Sequence, residues 1–98
     1  MIKVKRIYSN DLLCGLEVKG HANSNESGKD LICAAVSSIL TGGFNALVKE
    51  ETEELILEEG YAKVMVNESA SISLQVLRVI EIQLLTIEES YPKYINIK

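Results

Sequence analysis

The sequence predicts an α+β fold in which two helices pack on a largely antiparallel sheet, in the order β-β-α-β-β-α with a short final strand. Apolar and polar residues alternate in two separate pairs of segments, and a short turn joins the members of each pair, as in β-hairpins. A segment with apolar residues at helical spacing follows each pair. Because strands joined by tight turns run antiparallel, most of the sheet should be antiparallel.

The first hairpin begins at the N-terminus of the chain. Ile2 and Val4 alternate with lysines, and Ser9-Asn10-Asp11 has the composition of a turn. From Leu12 to Lys19 apolar residues again occupy alternate positions. Cys14 falls on the apolar side of this second strand, so we expect it to be buried and structural.

The first helix is predicted from Asp30, with Asp30 as its N-cap, after a polar loop over residues 20–29. Apolar residues then recur at helical spacing as far as Leu47. Gly42 and Gly43 interrupt this helix, and each costs about 1 kcal/mol relative to alanine. We therefore expect a compensating reason, most simply the close approach of another element.

The second hairpin has strands at residues 55–57 and 61–66, joined by a turn at Glu59-Gly60. The second helix runs from about residue 72 to Ser90 and is apolar around most of its circumference. A helix of this kind is buried on several sides. Because one sheet and one other helix cannot easily cover it, we expect a homodimer. A short strand over residues 94–97 completes the fold.

Composition narrows the possible functions. The 98 residues predict one domain, and a net charge of −4 argues against a nucleic-acid partner, since phosphate binding needs clustered cations. No apolar run approaches the length of a bilayer span, and no signal-peptide pattern is present, so we expect a cytoplasmic protein without a membrane partner. One histidine and two cysteines do not have zinc-ligand spacing, so we expect no metal and no cofactor.

The candidate site lies in the segment GHANSNESGKDLICAAVSS, residues 20–38. His21 is the only histidine of the chain, and Cys33 follows it by 12 positions, near the predicted helix start. A helix N-terminus favours a thiolate, and an imidazole can accept its proton, which is the arrangement of an activated cysteine nucleophile. Backbone amides of the first turn could stabilise an oxyanion. A small buried cysteine and an ordinary surface histidine would also fit this pair.

The complete string is more specific than the pair. G-H-A, a hydrophilic stretch with glycine, and D-L-I-C-A-A-V-S-S together resemble the Prp family of ribosomal-processing cysteine proteases. Ile32 occupies a position where valine is commoner in the family, which is a conservative difference. The later segment LLTIEESY resembles the end of the family's second helix. The matching motif residues are Gly20, His21, Ala22, Gly28, Asp30, Cys33, Ala34 and Ser37.

The resemblance implies a small dimeric cytosolic protease that removes a short N-terminal extension from a basic large-subunit ribosomal protein. Cys33 would be the nucleophile and His21 the general base. Asp30 would support them, by orienting His21 or by shaping the helix start. A mobile loop would close over the bound peptide. The remaining motif residues would help to bind substrate, although packing is an equal alternative for the last of them: Gly20, Ala22, Gly28 and Ser37.

Two other functions are compatible with the sequence. One is a non-catalytic peptide-binding or thiol-sensing ribosome assembly factor, and the other is a structural factor held together by its apolar helix. A protease requires a fast-alkylating Cys33 whose rate depends on His21. A peptide-binding module requires only the groove, and a structural factor requires neither.

Overall fold

The computed structural model describes residues 1–20 and 27–98, and for residues 27–30 it describes the backbone alone. The element order is β-β-α-β-β-α-β, which confirms the predicted α+β fold. A 3-10 turn at Lys49–Glu51 precedes the third strand. The elements are β1 (Ile2–Ser9), β2 (Leu12–Lys19), α1 (Ser27–Asn45), β3 (Thr52–Glu58), β4 (Tyr61–Val66), α2 (Ile72–Ser90) and β5 (Ile95–Ile97).

The five strands form one mixed sheet in the order β3-β4-β2-β1-β5. Four of them pair antiparallel, whereas β5 runs parallel to β1. This exception follows from the connection, because the chain crosses over through α2 before it returns to the sheet. β3 is therefore an outermost strand, and β4 is its neighbour.

The core lies between the two helices and one face of the sheet. One row across that face joins Val4 to Val18, Val18 to Ala62, and Ala62 to Leu57. The first three of these side chains are almost fully buried. From the helices, the cluster receives Ile32, Val36, Leu40, Phe44, Leu77, Ile80 and Leu84.

Close approach of the helices explains one of the two glycines in α1. A Cβ atom placed on Gly43 would lie 2.5 Å from Cδ1 of Ile80 in α2. The expected compensating reason is confirmed here, because the glycine lets the helices pack closely. A Cβ atom placed on Gly42 in the same way would meet nothing within 4 Å.

The start of α1 corrects the sequence prediction. The helix begins at Ser27, three residues before Asp30, and ends at Asn45. Asp30 is therefore not an N-cap, and the predicted loop over residues 20–29 is too long at its C-terminal end. Each residue added to an existing helix gains a backbone hydrogen bond, so polar residues can extend a helix beyond its apolar pattern.

α2 confirms the predicted second helix, but its buried face is not wholly apolar. Glu81 is 4% exposed and accepts hydrogen bonds from Arg6 in β1, at 3.3 Å, and from Arg78. Burial of an ionised carboxylate requires such partners, so this cluster ties α2 to β1. In the described part of the chain, neither helix combines the length and apolar character that a membrane crossing demands.

Candidate active site

A groove of about 270 Å³ lies between α1 and the sheet, at the end where β2 finishes and β4 begins. α1 contributes Cys33, Ser37 and Thr41 to its lining. These residues are spaced four apart, so they form one stripe along the helix. The sheet contributes Ile2, Val18, Leu57, Glu58 and Ala62, and the turns at the rim contribute Gly20, Glu59 and Gly60.

Cys33 lies where the core meets this groove. Its side chain is half-buried and packs against the core, next to the buried Ile32. Packing of Ile32 and Val36 on the core sets the rotation of α1 about its axis. That rotation turns the neighbouring stripe, with Cys33 in it, toward the groove.

The position of Cys33 within α1 corrects the predicted role of the helix start. Because the helix begins at Ser27, Cys33 is its seventh residue and lies in the second turn. The unpaired amides that favour an anion belong to the first turn, and the dipole effect falls off beyond it. Activation of a thiol at this position and stabilisation of an oxyanion there therefore cannot be assigned to the first-turn amides.

Two glycines build the rim of the groove. The Gly20 amide donates a 3.0 Å hydrogen bond to the Gly60 carbonyl, which joins the end of β2 to the β3–β4 turn. Gly20 has a φ of 98°, and a Cβ atom there would lie 2.5 Å from the carbonyl oxygen of Met1. Only glycine fits both conditions. Its backbone conformation and the hydrogen bond to Gly60 thus hold Gly20, the residue before His21, at the groove.

The structure brings together three of the residues that the sequence singled out. Gly20, Cys33 and Ser37 line one groove, although Gly20 follows the end of β2 and the other two come from successive turns of α1. Gly28 and Asp30 lie in the first turn of α1, where the backbone alone is described. The remaining motif residues, His21 and Ala22, lie outside the described residues, as does most of the loop that was expected to be mobile.

Several groove residues were missed by sequence reasoning. Thr41 could have been found, since it continues the spacing of Cys33 and Ser37 along the helix. No spacing pattern in the sequence marks the groove residues that come from the second hairpin, namely Leu57, Glu58 and Glu59. They lie opposite α1 only because β3 pairs with β4.

A polar contact on the outer face of the sheet fixes the start of β4 beside the groove. The Tyr61 hydroxyl donates a 2.7 Å hydrogen bond to Oε2 of Glu17 in β2. This bond raises the pKa of Tyr61 and lowers the pKa of Glu17, because it favours the phenol and the carboxylate. The pair stays in these protonation states near neutral pH, so it is a structural brace rather than a proton donor or acceptor for the groove.

The other cysteine has a different environment, as the sequence predicted. Cys14 is buried in β2, toward the end of the sheet remote from Gly20, and it does not line the groove. Burial raises the pKa of its thiol, and the carboxylates of Glu68 and Glu53 raise it further. Cys14 is therefore a poor nucleophile. Among the described side chains, those of residues 1–20 and 31–98, no three His, Cys, Asp or Glu side chains are grouped as a metal site requires.

Comparison with known proteins identifies the family of this chain. The family model described as cysteine protease Prp matches residues 1–96. A ribosomal processing cysteine protease Prp from Mycoplasma genitalium is 36% identical over 84 residues, which cover 84% of this chain and 84% of that protein.

Two solved structures have the same fold. The structure of SMU.848 from Streptococcus mutans is 27% identical, covers 100% of this chain and 92% of its own, and superposes with a TM-score of 0.85. That of a ribosomal processing protease Prp from Staphylococcus aureus, in complex with a substrate peptide, is 23% identical, with coverage of 100% and 98% and a TM-score of 0.87. The family match extends over nearly the whole chain and includes the segment that carries Cys33, so this chain belongs to the Prp family of cysteine proteases.

Proposed function

We propose that this protein is an endopeptidase that removes a short N-terminal extension from a large-subunit ribosomal protein during ribosome maturation, with Cys33 as nucleophile and His21 as general base. One observation carries the assignment of the residues. Cys33 and Gly20, the residue before His21, line the same groove although 13 positions separate them. The name of the Mycoplasma genitalium relative supports a substrate from the ribosome, and the substrate peptide bound to the Staphylococcus aureus relative supports a peptide.

The proposed reaction needs two groups of the protein and one water molecule. The imidazole of His21 takes the proton of the Cys33 thiol, and the sulfur attacks the scissile carbonyl carbon. His21 returns the proton to the leaving amine as the C–N bond breaks, which leaves a thioester on Cys33. Water, deprotonated by His21, hydrolyses the thioester and releases the extension with a carboxylate end, while the proton returns to the thiol.

The other motif residues have supporting roles in this proposal. Asp30 orients His21 or shapes the first turn of α1. Ser37 lies one turn beyond Cys33 on the same stripe and contacts the bound chain, because its side chain is exposed and lines the groove. Gly20 lets the backbone of the substrate approach the rim closely. We assign Ala22 and Gly28 to substrate binding as well.

We further propose that the chain acts as a single protease domain, in the cytoplasm, as a homodimer. The support for the dimer is an apolar groove of about 560 Å³ between α1 and α2. Gly43, Ala46, Val76 and Val79 are among its lining residues, and Val79 is 53% exposed. A second copy of α2 would cover this surface.

The test compares the two cysteines on the natural substrate. The ribosomal protein precursor of the same organism is incubated with each variant, and the product mass is measured. Cys33→Ser should abolish cleavage, because a hydroxyl is a far weaker nucleophile than a thiolate. His21→Ala should slow it by roughly 10²–10⁴-fold, the usual contribution of a general base. Cys14→Ser should cleave at nearly the normal rate. Full cleavage by the Cys33 variant, or equal loss in both cysteine variants, would overturn the proposal.

A further inference from the structure

The edge strand β3 exposes two leucines on the face of the sheet that carries the core. Leu55 pairs with Val64 and Leu57 pairs with Ala62, so the leucines share a face with these buried residues. Val64 and Ala62 are 0% and 3% exposed, whereas Leu55 and Leu57 are 47% and 44% exposed. α1 therefore covers β4 and leaves an apolar strip of β3 open beside it.

Two cavities follow this strip. Leu57 lines the active-site groove together with Cys33. Leu55 lines a second cavity, of about 300 Å³, together with Phe44 and Leu47 at the other end of α1. The leucines are two residues apart, a separation of about 6.6 Å along a strand. An extended peptide repeats its side chains on one face at the same interval.

The two cavities lie one after the other between α1 and β3, and we call the space from Cys33 to Phe44 that they occupy the trough. Ser37 and Thr41 line it on the helix side, one and two turns beyond Cys33. On the other side, β3 pairs only with β4 among the described strands. Its second edge thus offers backbone donors and acceptors to an added strand.

Charge around the trough indicates what kind of segment it accepts. Glu58 and Glu59 line the cavity at Leu57, whereas Glu53 and Glu54 share the cavity at Leu55 with the cation of Lys49. Glu54 already pairs with Lys63 on β4, at 3.0 Å. The other three glutamates form no ion pair with any residue of the described ranges. The apolar strip thus has an acidic border at its Leu57 end, which is complementary to an apolar segment that carries lysine or arginine at the matching end.

We propose that the trough binds the substrate as an extended strand along β3, with two apolar side chains, two residues apart, against Leu57 and Leu55, and with a basic residue beside Glu58 and Glu59. This inference rests on the proposed protease function. Because Cys33 and Leu57 line one cavity, a chain held by the leucines passes the thiol.

Binding without turnover tests the trough. The full chain carrying Cys33→Ala is titrated against a fluorescein-labelled synthetic peptide that spans the N-terminal extension and the cleavage site of the ribosomal precursor, and anisotropy gives Kd. Leu57→Ser and Leu55→Ser should each raise Kd by about tenfold, the effect of losing most of one leucine contact. The matched control is Leu12→Ser, which changes an exposed leucine of β2 outside the trough and should leave Kd unchanged.

A second series of binding measurements, with altered peptides, identifies the peptide side chain that contacts each leucine. Replacing one apolar residue of the peptide by alanine should abolish the effect of Leu57→Ser, and replacing the residue two positions away should abolish that of Leu55→Ser. Glu58→Gln with Glu59→Gln should weaken binding several-fold in low salt, and this loss should disappear when the basic residues of the peptide are replaced by alanine.

The outcomes separate this inference from the proposed function. If the wild-type chain does not cleave the precursor but the peptide still binds in a leucine-dependent manner, the protease assignment fails and the trough stands. If cleavage occurs and the leucine variants bind and cleave like Leu12→Ser, the trough proposal is wrong. The thermal unfolding midpoints of the leucine variants should match that of Leu12→Ser and thereby exclude a folding defect.

Discussion

Gly20 shows how the backbone conformation of one residue sets the entry to the groove. Gly20→Ala introduces a Cβ atom 2.5 Å from the Met1 carbonyl oxygen at a φ of 98°. We expect a loss of about 1–3 kcal/mol in the free energy of unfolding, the usual cost of such backbone strain. Cleavage should fall as well, because the rim at the β3–β4 turn shifts. Urea denaturation and precursor cleavage measure the two effects, and unchanged values for both would contradict the interpretation of the rim.

The two cysteines differ in how well the sequence predicted their environments. The sequence predicted a buried Cys14 correctly, but burial around it does not follow a strict period of two, because Cys14, Gly15 and Leu16 are all buried where the pairing with β1 shifts register, and Leu12 is exposed. Cys33 was expected at an exposed helix start, but it is half-buried in the second turn of α1. A polarity pattern does not show where a helix begins when polar residues continue it.

The adjacent glycines of α1 provide a test at the scale of the elements. Gly42→Ala should raise the free energy of unfolding by about 0.5–1 kcal/mol, because nothing obstructs the new methyl group and alanine favours the helix. Gly43→Ala should lower it, because the methyl group would meet the buried Ile80 and overpacking costs about 1–3 kcal/mol. Chemical denaturation of the two variants measures both changes. Equal effects would mean that the helices do not approach as closely as described.

Glu51 links the 3-10 turn to the start of α2. Its carboxylate accepts hydrogen bonds from the Ser73 amide, at 2.8 Å, and from the Ser71 amide, at 3.1 Å. These bonds lower the pKa of Glu51 below the usual value of about 4.5. The ionised carboxylate therefore stabilises the folded state fully above that value, and this contribution is lost as the pH falls through the lowered pKa of the folded state.

The pH dependence of Glu51→Gln follows from this linkage. At pH 7 the variant should be less stable than the wild type, and the difference should shrink as the pH falls below about 4.5. Thermal denaturation across this pH range measures the difference. Glu50→Gln is the control, since Glu50 is exposed and lies next to Glu51 without contacting α2 through any described hydrogen bond. A difference that is the same at every pH would rule out a role for the charge.

For the whole molecule, the apolar surface shared by α1 and α2 predicts the assembly state. Ile72 and Val79 are 59% and 53% exposed on α2, beside the groove between the helices. Sedimentation equilibrium at micromolar concentration should give about twice the chain mass of 10.8 kDa. Val79→Glu should shift the protein to the mass of one chain, whereas Leu12→Glu should not. A wild-type protein that sediments as a single chain would contradict the dimer.

Local patterns in the sequence by themselves determined the element order, the two hairpins and the apolar faces of both helices, since each depends on residues a few positions apart. The motif around His21 and Cys33 likewise indicated the protease family. Only the tertiary structure decided which residues face Cys33 across the groove, because pairing of β3 with β4 places Leu57 there. It also decided the ends of α1 and the burial of Glu81. Contacts between residues distant in the chain set these features, and no local period records such contacts.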